Sequence, residues 1–222
     1  MPVSKDSPIK QRAVIVGGVR TPFLRAFGPF TKLDTIDLSD AAVKVLLDTY
    51  AGVAEELDGV VWGGVIMPAG APNIGREIVL DLNIPHNIEA HTVTRACTSG
   101  LVAITQAAAT IERGEAEVML AGGSDSTSNA SVNLPASFVH KAAPVLMSGK
   151  AGVGDYLGLL GKLSVRKDLL PQRPAIRERT TGELMGEAAE RMVQHWGVPR
   201  EAQDAFAVQS HHRAAAAWDS GR

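Results

Sequence analysis

Short apolar runs alternate with helix-period patterns along the first half of the chain. Four runs, each rich in apolar or β-branched residues, predict strands over residues 13–16, 57–67, 90–94 and 117–121. Apolar residues at helical spacing predict intervening helices over residues 39–47, 73–82 and 99–113, with Ser39 and Asn73 as the capping residues. This alternation predicts a layered α/β sheet covered by helices, because the crossovers bury the strands on both faces.

The pattern changes after Ser124. A stretch with Ser, Asn and Pro leads into a glycine-rich segment and then into a mixed basic and acidic segment. Two further helices are predicted over residues 184–196 and 199–218, the first ending at Gly197. The sequence therefore predicts an α/β domain over residues 1–125 and a mainly helical insertion over residues 126–222.

The composition of the chain argues against several classes of function. Apolar residues make up 45% of the 222 residues and charged residues 21%, as in ordinary globular proteins. The formal net charge of -2 and the 5% of aromatic residues give no basic stacking surface for nucleic acid. No apolar run reaches the roughly 18–20 residues of a transmembrane segment, and the N-terminus lacks a signal-peptide pattern. A single cysteine forms no internal disulfide, so we expect a cytoplasmic protein.

That single cysteine, Cys97, lies where a predicted strand meets a predicted helix. The first N–H groups of a helix have no intrahelical partners and favour negative charge, which here means the thiolate. Ser99 and Gly100 are small and leave room for a substrate. A lone cysteine is ordinarily a small buried apolar residue, and the surrounding sequence argues against that interpretation here.

The segment Val93–Gly123 closely resembles the nucleophile segment of thiolases: a strand, a cysteine, small residues, an Ala-rich helix and a Gly-Gly strand end. Other motifs of that family are matched by Arg20-Thr21-Pro22-Phe23, by Asn73–Glu77 with Gly75 in place of Ala, by Met185–Glu190, by Arg200–Ala207 and by Gln209-Ser210-His211. The resemblance spans nearly the whole chain. It implies a thiolase-like layered α/β/α sheet with an inserted, mainly helical loop region.

The resemblance also implies an activity. Cys97 would take the acyl group of an acyl-coenzyme A as a thioester and pass it to a second nucleophile, in thiolytic cleavage of 3-oxoacyl-coenzyme A or in condensation of acetyl-coenzyme A. Met185 lies in the family's loop-region motif and is the candidate substrate contact, although a methionine packed in a core fits the same position. Leu184 replaces a histidine common in biosynthetic thiolases, which favours a degradative enzyme of fatty acid β-oxidation.

Partners follow from the same resemblance. The family implies a homodimer or homotetramer and coenzyme A as a substrate, with no cofactor and no metal. Thiolases take a catalytic histidine from a G-H-P segment and a second cysteine from a C-x-G-G segment, and neither segment is present here. We therefore expect that this chain is the N-terminal half of a thiolase. Two alternatives stay open: a condensing enzyme of the 3-oxoacyl-carrier-protein synthase type, or an inactive half.

Several other features are given no chemical role. His86 and His91 lie near Cys97 in sequence but match no family motif. The adjacent His211 and His212 point in different directions on a helix, which is poor geometry for a metal. The Gly-Gly pairs at 17–18 and 122–123 lack the spacing of nucleotide-binding loops and indicate tight turns.

Overall fold

A computed structural model describes residues 12–171 and 177–221 of the chain. It divides into two compact units, Met1–Ser131 and Val132–Arg222, which are described separately below. The first unit contains the three strands, and the second is helical.

Within its described residues, the first unit contains four helices: α1 (Thr35–Thr49), α2 (Val53–Glu56), α3 (Ile74–Asp81) and α4 (Ser99–Glu112). Its three strands are β1 (Gly59–Gly63), β2 (Glu89–Val93) and β3 (Met119–Gly123), and a 3₁₀ turn follows at Thr127–Asn129. The second unit contains α5 (Ala136–Leu146), α6 (Val153–Lys162), a π-helical turn (Val165–Leu169), α7 (Met185–Trp196) and α8 (Arg200–Asp219). The predicted second, third and fourth strands, and all predicted helices, are confirmed apart from their bounds.

The three strands form a parallel sheet in the order β2-β1-β3. Helix α3 connects β1 to β2, and α4 connects β2 to β3, so the two crossovers run in opposite directions across the sheet. Since parallel crossovers are right-handed, α3 and α4 cover opposite faces. The layered α/β/α arrangement implied by the sequence is thereby confirmed.

Alternate residues of β1 fill the two layers, as the twofold period of a strand requires. Val60 and Trp62 belong to the main apolar core, which also contains Leu120 of β3 and the buried face of α3. Val61 points to the other side, where α4 packs on β1 and β3 and buries Ala103 and Ala107. Both faces of β1 are therefore fully covered.

Helix α1 begins one turn before the predicted start. Asp34 caps it by accepting hydrogen bonds from the backbone N–H groups of Ile36 and Asp37, and the Asp37 carboxylate accepts one from Asp34 in return. This reciprocal capping box ends the loop at Asp34. The prediction that Ser39 caps the helix was wrong: Ser39 is buried within α1, and its hydroxyl donates to the Thr35 carbonyl oxygen at 2.7 Å.

The predicted first strand is absent. Residues 12–20 have no regular secondary structure, and Val14, Ile15 and Val16 are exposed. The reason is physical: a strand forms only against a hydrogen-bonding neighbour, and in the part of the chain that the structure describes no strand lies beside this segment. A 3.3 Å hydrogen bond from the Tyr50 hydroxyl to the Val16 carbonyl oxygen connects this segment to α1 and the rest of the first unit.

The second unit is organised around a buried carboxylate in its first part. Asp168, in the π-helical turn, accepts hydrogen bonds from Lys141 Nζ at 2.8 Å and from the Ser164 backbone N–H at 2.7 Å. Lys141 also donates to the Lys162 carbonyl oxygen at 3.1 Å, which joins α5 to the end of α6. None of the helices that the structure describes has the length and apolarity needed to cross a bilayer.

Candidate active site

Cys97 lies in the tight turn between β2 and α4 and is exposed. The preceding residue, Ala96, has a φ of 48°, in the left-handed region that residues other than glycine rarely occupy. The turn is closed by hydrogen bonds from the Thr98 and Ser99 N–H groups to the carbonyl oxygens of Arg95 and Ala96. The sharp turn therefore presents Cys97 outward at the end of the sheet.

The Ser99 side chain holds this turn in place. Its hydroxyl donates to the Ala96 carbonyl oxygen and accepts from the Arg95 N–H, both at 2.7 Å. Ser99 is almost completely buried, so these bonds are shielded from water. The unusual backbone at Ala96 is thus fixed by the first residue of the helix that follows it.

The start of α4 packs directly on the ends of two strands, with glycine at each contact. A Cβ atom on Gly63, at the end of β1, would lie 2.5 Å from the Ser99 carbonyl carbon and 2.6 Å from the Gly100 nitrogen. A Cβ on Gly123, at the end of β3, would lie 2.8 Å from the Gly63 oxygen and 3.2 Å from the Gly100 Cα. Only glycine permits this close approach, which sets the height of α4 above the sheet.

Free backbone donors lie beside the cysteine. Among the described residues, no group accepts a hydrogen bond from the N–H of Gly100 or Leu101 in the first turn of α4. Thr98, at the cap position, makes no side-chain capping bond to them. These N–H groups and the helix dipole favour negative charge at the helix start, as a thiolate or oxyanion there requires.

A groove of about 670 Å³ opens at Cys97. Its walls come from residues 17–26 and Phe30, from α1, from the carboxyl ends of β1 and β3, and from residues 124–128 after β3. Arg20 lies over the Phe23 ring, 4.4 Å from its centroid, on this wall. No histidine is among the described residues that line the groove. Among the described residues, the groove therefore offers an exposed thiol and backbone amide donors, but no imidazole.

The groove also contains a polar network that the sequence analysis did not identify. Ser124, directly after β3, shares a 2.6 Å hydrogen bond with the Ser39 hydroxyl and accepts one from Trp62 Nε1 at 3.0 Å. The next residue, Asp125, accepts from the backbone N–H groups of Val65 and Ile66 at 2.9 and 2.6 Å. A polar pair after the end of a parallel strand is the signal that would have located these residues.

The other candidate residues lie elsewhere. Met185 is the first residue of α7 in the second unit and is exposed. His91 lies on β2 and His86 precedes it, and neither lines the groove at Cys97. In the part of the chain covered by the structure, no cluster of three or more His, Cys, Asp or Glu residues is arranged to hold a metal ion.

Two of the motifs have clear local roles. Asn73 caps α3, as predicted, by accepting from the Arg76 N–H, and its amide donates to the Ala90 carbonyl oxygen at 3.1 Å. A Cβ on Gly75 would lie 2.7 Å from the His91 carbonyl oxygen, so this motif seats α3 closely against the strand that leads to Cys97. In the other unit, Glu187 closes the start of α7 by accepting from the Leu184 N–H at 2.7 Å.

Comparison with known proteins decides the family. The family model described as thiolase, N-terminal domain, matches residues 13–222. The chain belongs to the thiolase family. It is 39% identical over 214 residues to a 3-ketoacyl-CoA thiolase of Vibrio cholerae, covering 96% of this chain and 48% of that protein. A 3-ketoacyl-CoA thiolase of Shigella flexneri is 39% identical over 213 residues, covering 95% and 48%.

Solved structures give the same fold. The acetyl-CoA acetyltransferase of Bacillus anthracis matches with a TM-score of 0.69 and 25% identity, over 95% of this chain and 48% of that one. The Acat5 thiolase of Ascaris suum, solved in complex with coenzyme A, matches with a TM-score of 0.69 and 25% identity, over 92% and 48%. The thiolase chain described here thus spans about half the length of its relatives.

Proposed function

We propose that Cys97 is the nucleophile of an acyl transfer between coenzyme A thioesters. The observation that carries the proposal is the exposure of Cys97 at the start of α4, beside unpaired backbone N–H groups and facing an open groove. A thiolate is favoured there, and a developing oxyanion would find donors nearby.

In the degradative direction, the Cys97 thiolate attacks the 3-oxo carbon of a 3-oxoacyl-coenzyme A. The bond between C2 and C3 then breaks, the electron pair stays on C2 as the enolate of acetyl-coenzyme A, and a general acid protonates that carbon. The shortened acyl group remains on Cys97 as a thioester. The thiol of coenzyme A, deprotonated by a base, attacks this thioester and releases the new acyl-coenzyme A.

We propose that the acid and base in these steps are supplied by residues outside the groove described above. No imidazole lines it, and Cys97 is the only cysteine in the chain. The resemblance assigns these roles to a histidine and a second cysteine of the other thiolase half. The chain covers 48% of the Vibrio cholerae relative, which leaves room for such a half in a complete enzyme.

Met185 is proposed to contact the acyl and pantetheine part of the substrate. It begins α7, is exposed, and lies in a first turn fixed by Glu187. Leu184 before it supplies an apolar side chain where biosynthetic thiolases carry histidine, which supports a degradative enzyme for longer acyl chains. Replacing Leu184 with His would then lower activity on long-chain 3-oxoacyl-coenzyme A more than on acetoacetyl-coenzyme A.

A second proposal is that this chain by itself does not turn over substrate, because no histidine is among the described residues that line the groove and the chain has no second cysteine. The test is thiolysis of acetoacetyl-coenzyme A by the 222-residue chain alone and after addition of the C-terminal half of the Vibrio cholerae relative. We expect activity only with both parts, and none when Cys97 is replaced by Ser. Full activity of Cys97→Ser with the added half would exclude Cys97 as nucleophile.

A further inference from the structure

Two parts of the groove at Cys97 belong to different elements. One part is the turn that carries Cys97, and the helix that follows it rests on Gly63 at the end of β1. The other part is one face of α1, where the groove is lined by Leu38, Ala42 and Leu46 at a spacing of four residues. A substrate that reacts at Cys97 while it lies against α1 needs a fixed separation between these two parts. A residue that joins them would therefore influence the reaction without contacting the sulfur.

Ser124, directly after β3, makes this connection. Its backbone N–H donates to the Gly63 carbonyl oxygen at 3.0 Å, at the strand end on which α4 rests. Its hydroxyl oxygen lies 2.6 Å from the hydroxyl oxygen of Ser39 on α1. The same Ser124 oxygen accepts a hydrogen bond from Trp62 Nε1 at 3.0 Å. One residue thus joins the end of β1, which supports α4, to the helix that lines the groove.

The protons of this network can be assigned by counting donors. The Ser39 hydroxyl donates to the Thr35 carbonyl oxygen at 2.7 Å, so it accepts the proton of Ser124 across the 2.6 Å contact. In the reverse direction, the Ser124 proton goes to the same Thr35 carbonyl oxygen at 3.2 Å. In both directions Ser124 is the acceptor for Trp62, and its own proton stays within the network. Ser124 therefore acts by holding its neighbours in place, and not by donating a proton to a substrate.

The Trp62 side chain makes the connection rigid. It is 5% exposed, and among the described residues Ser124 accepts the hydrogen bond of its Nε1–H. A Cβ atom on Gly122 would lie 2.5 Å from the Trp62 ring, so the ring fills the space against β3. Loss of the Ser124 hydroxyl would leave a buried N–H without its acceptor. The Trp62 ring, which also lines the groove, would have to move to reach water.

We propose that Ser124 is a positioning residue for acyl transfer, because it fixes the separation between the turn at Cys97 and the face of α1 that lines the groove. This inference rests on the proposed function of Cys97. A second bond holds α1 when the Ser124 hydroxyl is removed, since the Thr35 hydroxyl donates to the Ile66 carbonyl oxygen at 3.1 Å. A variant without the Ser124 hydroxyl should therefore fold but hold the substrate less well. A displacement of about 1 Å between reacting groups can lower a rate about 100-fold.

The test compares two reagents that modify Cys97 in the 222-residue chain. Iodoacetamide is small and needs no groove, whereas bromoacetyl-coenzyme A carries its reactive carbon on a thioester that must lie in the groove. In both reactions the sulfur forms a bond to the CH₂ carbon and the halide leaves. Peptide mapping by mass spectrometry gives the rate constant of each reagent at Cys97, and each is divided by its rate constant with glutathione. The ratio of the two corrected values measures positioning, because a general change in thiol reactivity cancels.

Ser124→Ala should lower this ratio about tenfold or more and leave the rate with iodoacetamide within about twofold. Ser124→Thr keeps the hydroxyl and should keep most of the ratio. Asp58→Ala is the matched control, because Asp58 joins the other ends of the same two strands. Its carboxylate accepts from the Glu117 and Val118 N–H groups at 2.6 and 3.0 Å. This variant should be less stable but should keep the ratio of the unchanged chain.

Failure of this inference and failure of the proposed function give different results. The inference alone is overturned if Ser124→Ala keeps the ratio, if Ser124→Thr loses it as well, or if Asp58→Ala lowers it equally. Ser124 would then contribute to stability only. If the unchanged chain itself shows no preference for bromoacetyl-coenzyme A over iodoacetamide, the groove does not bind the thioester. The proposed function is then wrong, and the inference fails with it.

Discussion

The close approach of α4 to the sheet gives a quantitative prediction for Gly63→Ala. The added Cβ would lie 2.5 Å from the Ser99 carbonyl carbon, whereas ordinary contacts begin at 3.4 Å. The helix start or the strand end must therefore move by about 0.9 Å, the difference between these distances. The obstacle is backbone on both sides, so no side chain can rotate away to relieve it.

Forcing an extra methyl group into packed backbone typically costs about 1–3 kcal/mol. Replacing glycine with alanine recovers roughly 0.4–1 kcal/mol by restricting the unfolded chain. The net loss should be about 1–2 kcal/mol, which lowers the midpoint of thermal unfolding by roughly 4–8 °C for a unit of this size. Thermal and urea unfolding followed by circular dichroism measure both quantities.

Gly100→Ala is the matched control, since a Cβ there meets nothing within 4 Å. Alanine is the better helix former, so this variant should be as stable as the unchanged chain or up to about 1 kcal/mol more stable. Gly123→Ala, whose Cβ would lie 2.8 Å from the Gly63 oxygen, should behave like Gly63→Ala. If Gly63→Ala and Gly100→Ala unfold at the same temperature, the close approach does not limit stability and the reasoning is wrong.

Three further substitutions test the rest of the structure. Ser99→Ala removes the buried hydroxyl that closes the turn at Cys97, and it should lower the free energy of unfolding, measured in urea, by about 1–3 kcal/mol. Burial, followed by the neighbouring carboxylate of Asp81, raises the pKa of Asp40 to about 7. Between about pH 4 and pH 7 the folded state therefore holds a proton on Asp40 that the unfolded state releases, so the free energy of unfolding falls as the pH rises through this range. Asp40→Asn should remove that pH dependence and raise the urea midpoint at pH 8. The hydrogen bond from Lys141 is the main cause that lowers the pKa of Asp168 to about 2, so the carboxylate stabilises the fold above about pH 4. Asp168→Asn should therefore speed limited proteolysis within residues 136–170 at pH 7.

Each of these substitutions has a control. Thr105→Ala removes an exposed hydroxyl on α4 and should change stability by less than about 0.5 kcal/mol; an equal effect of Ser99→Ala would contradict its role in the turn. Asp48→Asn, an exposed carboxylate on the helix that carries Asp40, should keep the pH dependence, and an unchanged pH dependence in Asp40→Asn would refute the assignment. Glu201→Gln should leave proteolysis unchanged, and unaltered cleavage in Asp168→Asn would show that the ion pair between Lys141 and Asp168 does not stabilise residues 136–170.

The sequence was sufficient to predict the central sheet because each strand is a short apolar run and each crossover helix has a clear period. The start of α3 was predictable since Asn73 is a strong cap. The start of α1 was not, because both Asp34 and Ser39 are capping residues and the reciprocal bond with Asp37 decides between them. The strand predicted at residues 13–16 failed because strand formation depends on a neighbour, which local sequence does not reveal.

The candidate site was predictable in part for the same reason. The position of Cys97 between a strand and a helix follows from local pattern. The contact of Gly63 with α4 and the network around Ser124 join residues far apart in sequence. Only the folded structure shows that Gly63 lies against the start of the helix after Cys97 and that Ser124 lines the groove at Cys97.

The most direct test of the central claim is the intact mass of the chain before and after incubation with acetyl-coenzyme A, alone and with the complementary thiolase half. We expect one acetyl adduct per chain, located at Cys97 by peptide mapping and absent from Cys97→Ser. Acetylation at another residue, or no adduct on Cys97 in either preparation while iodoacetamide still modifies it, would contradict the assignment of Cys97 as the nucleophile.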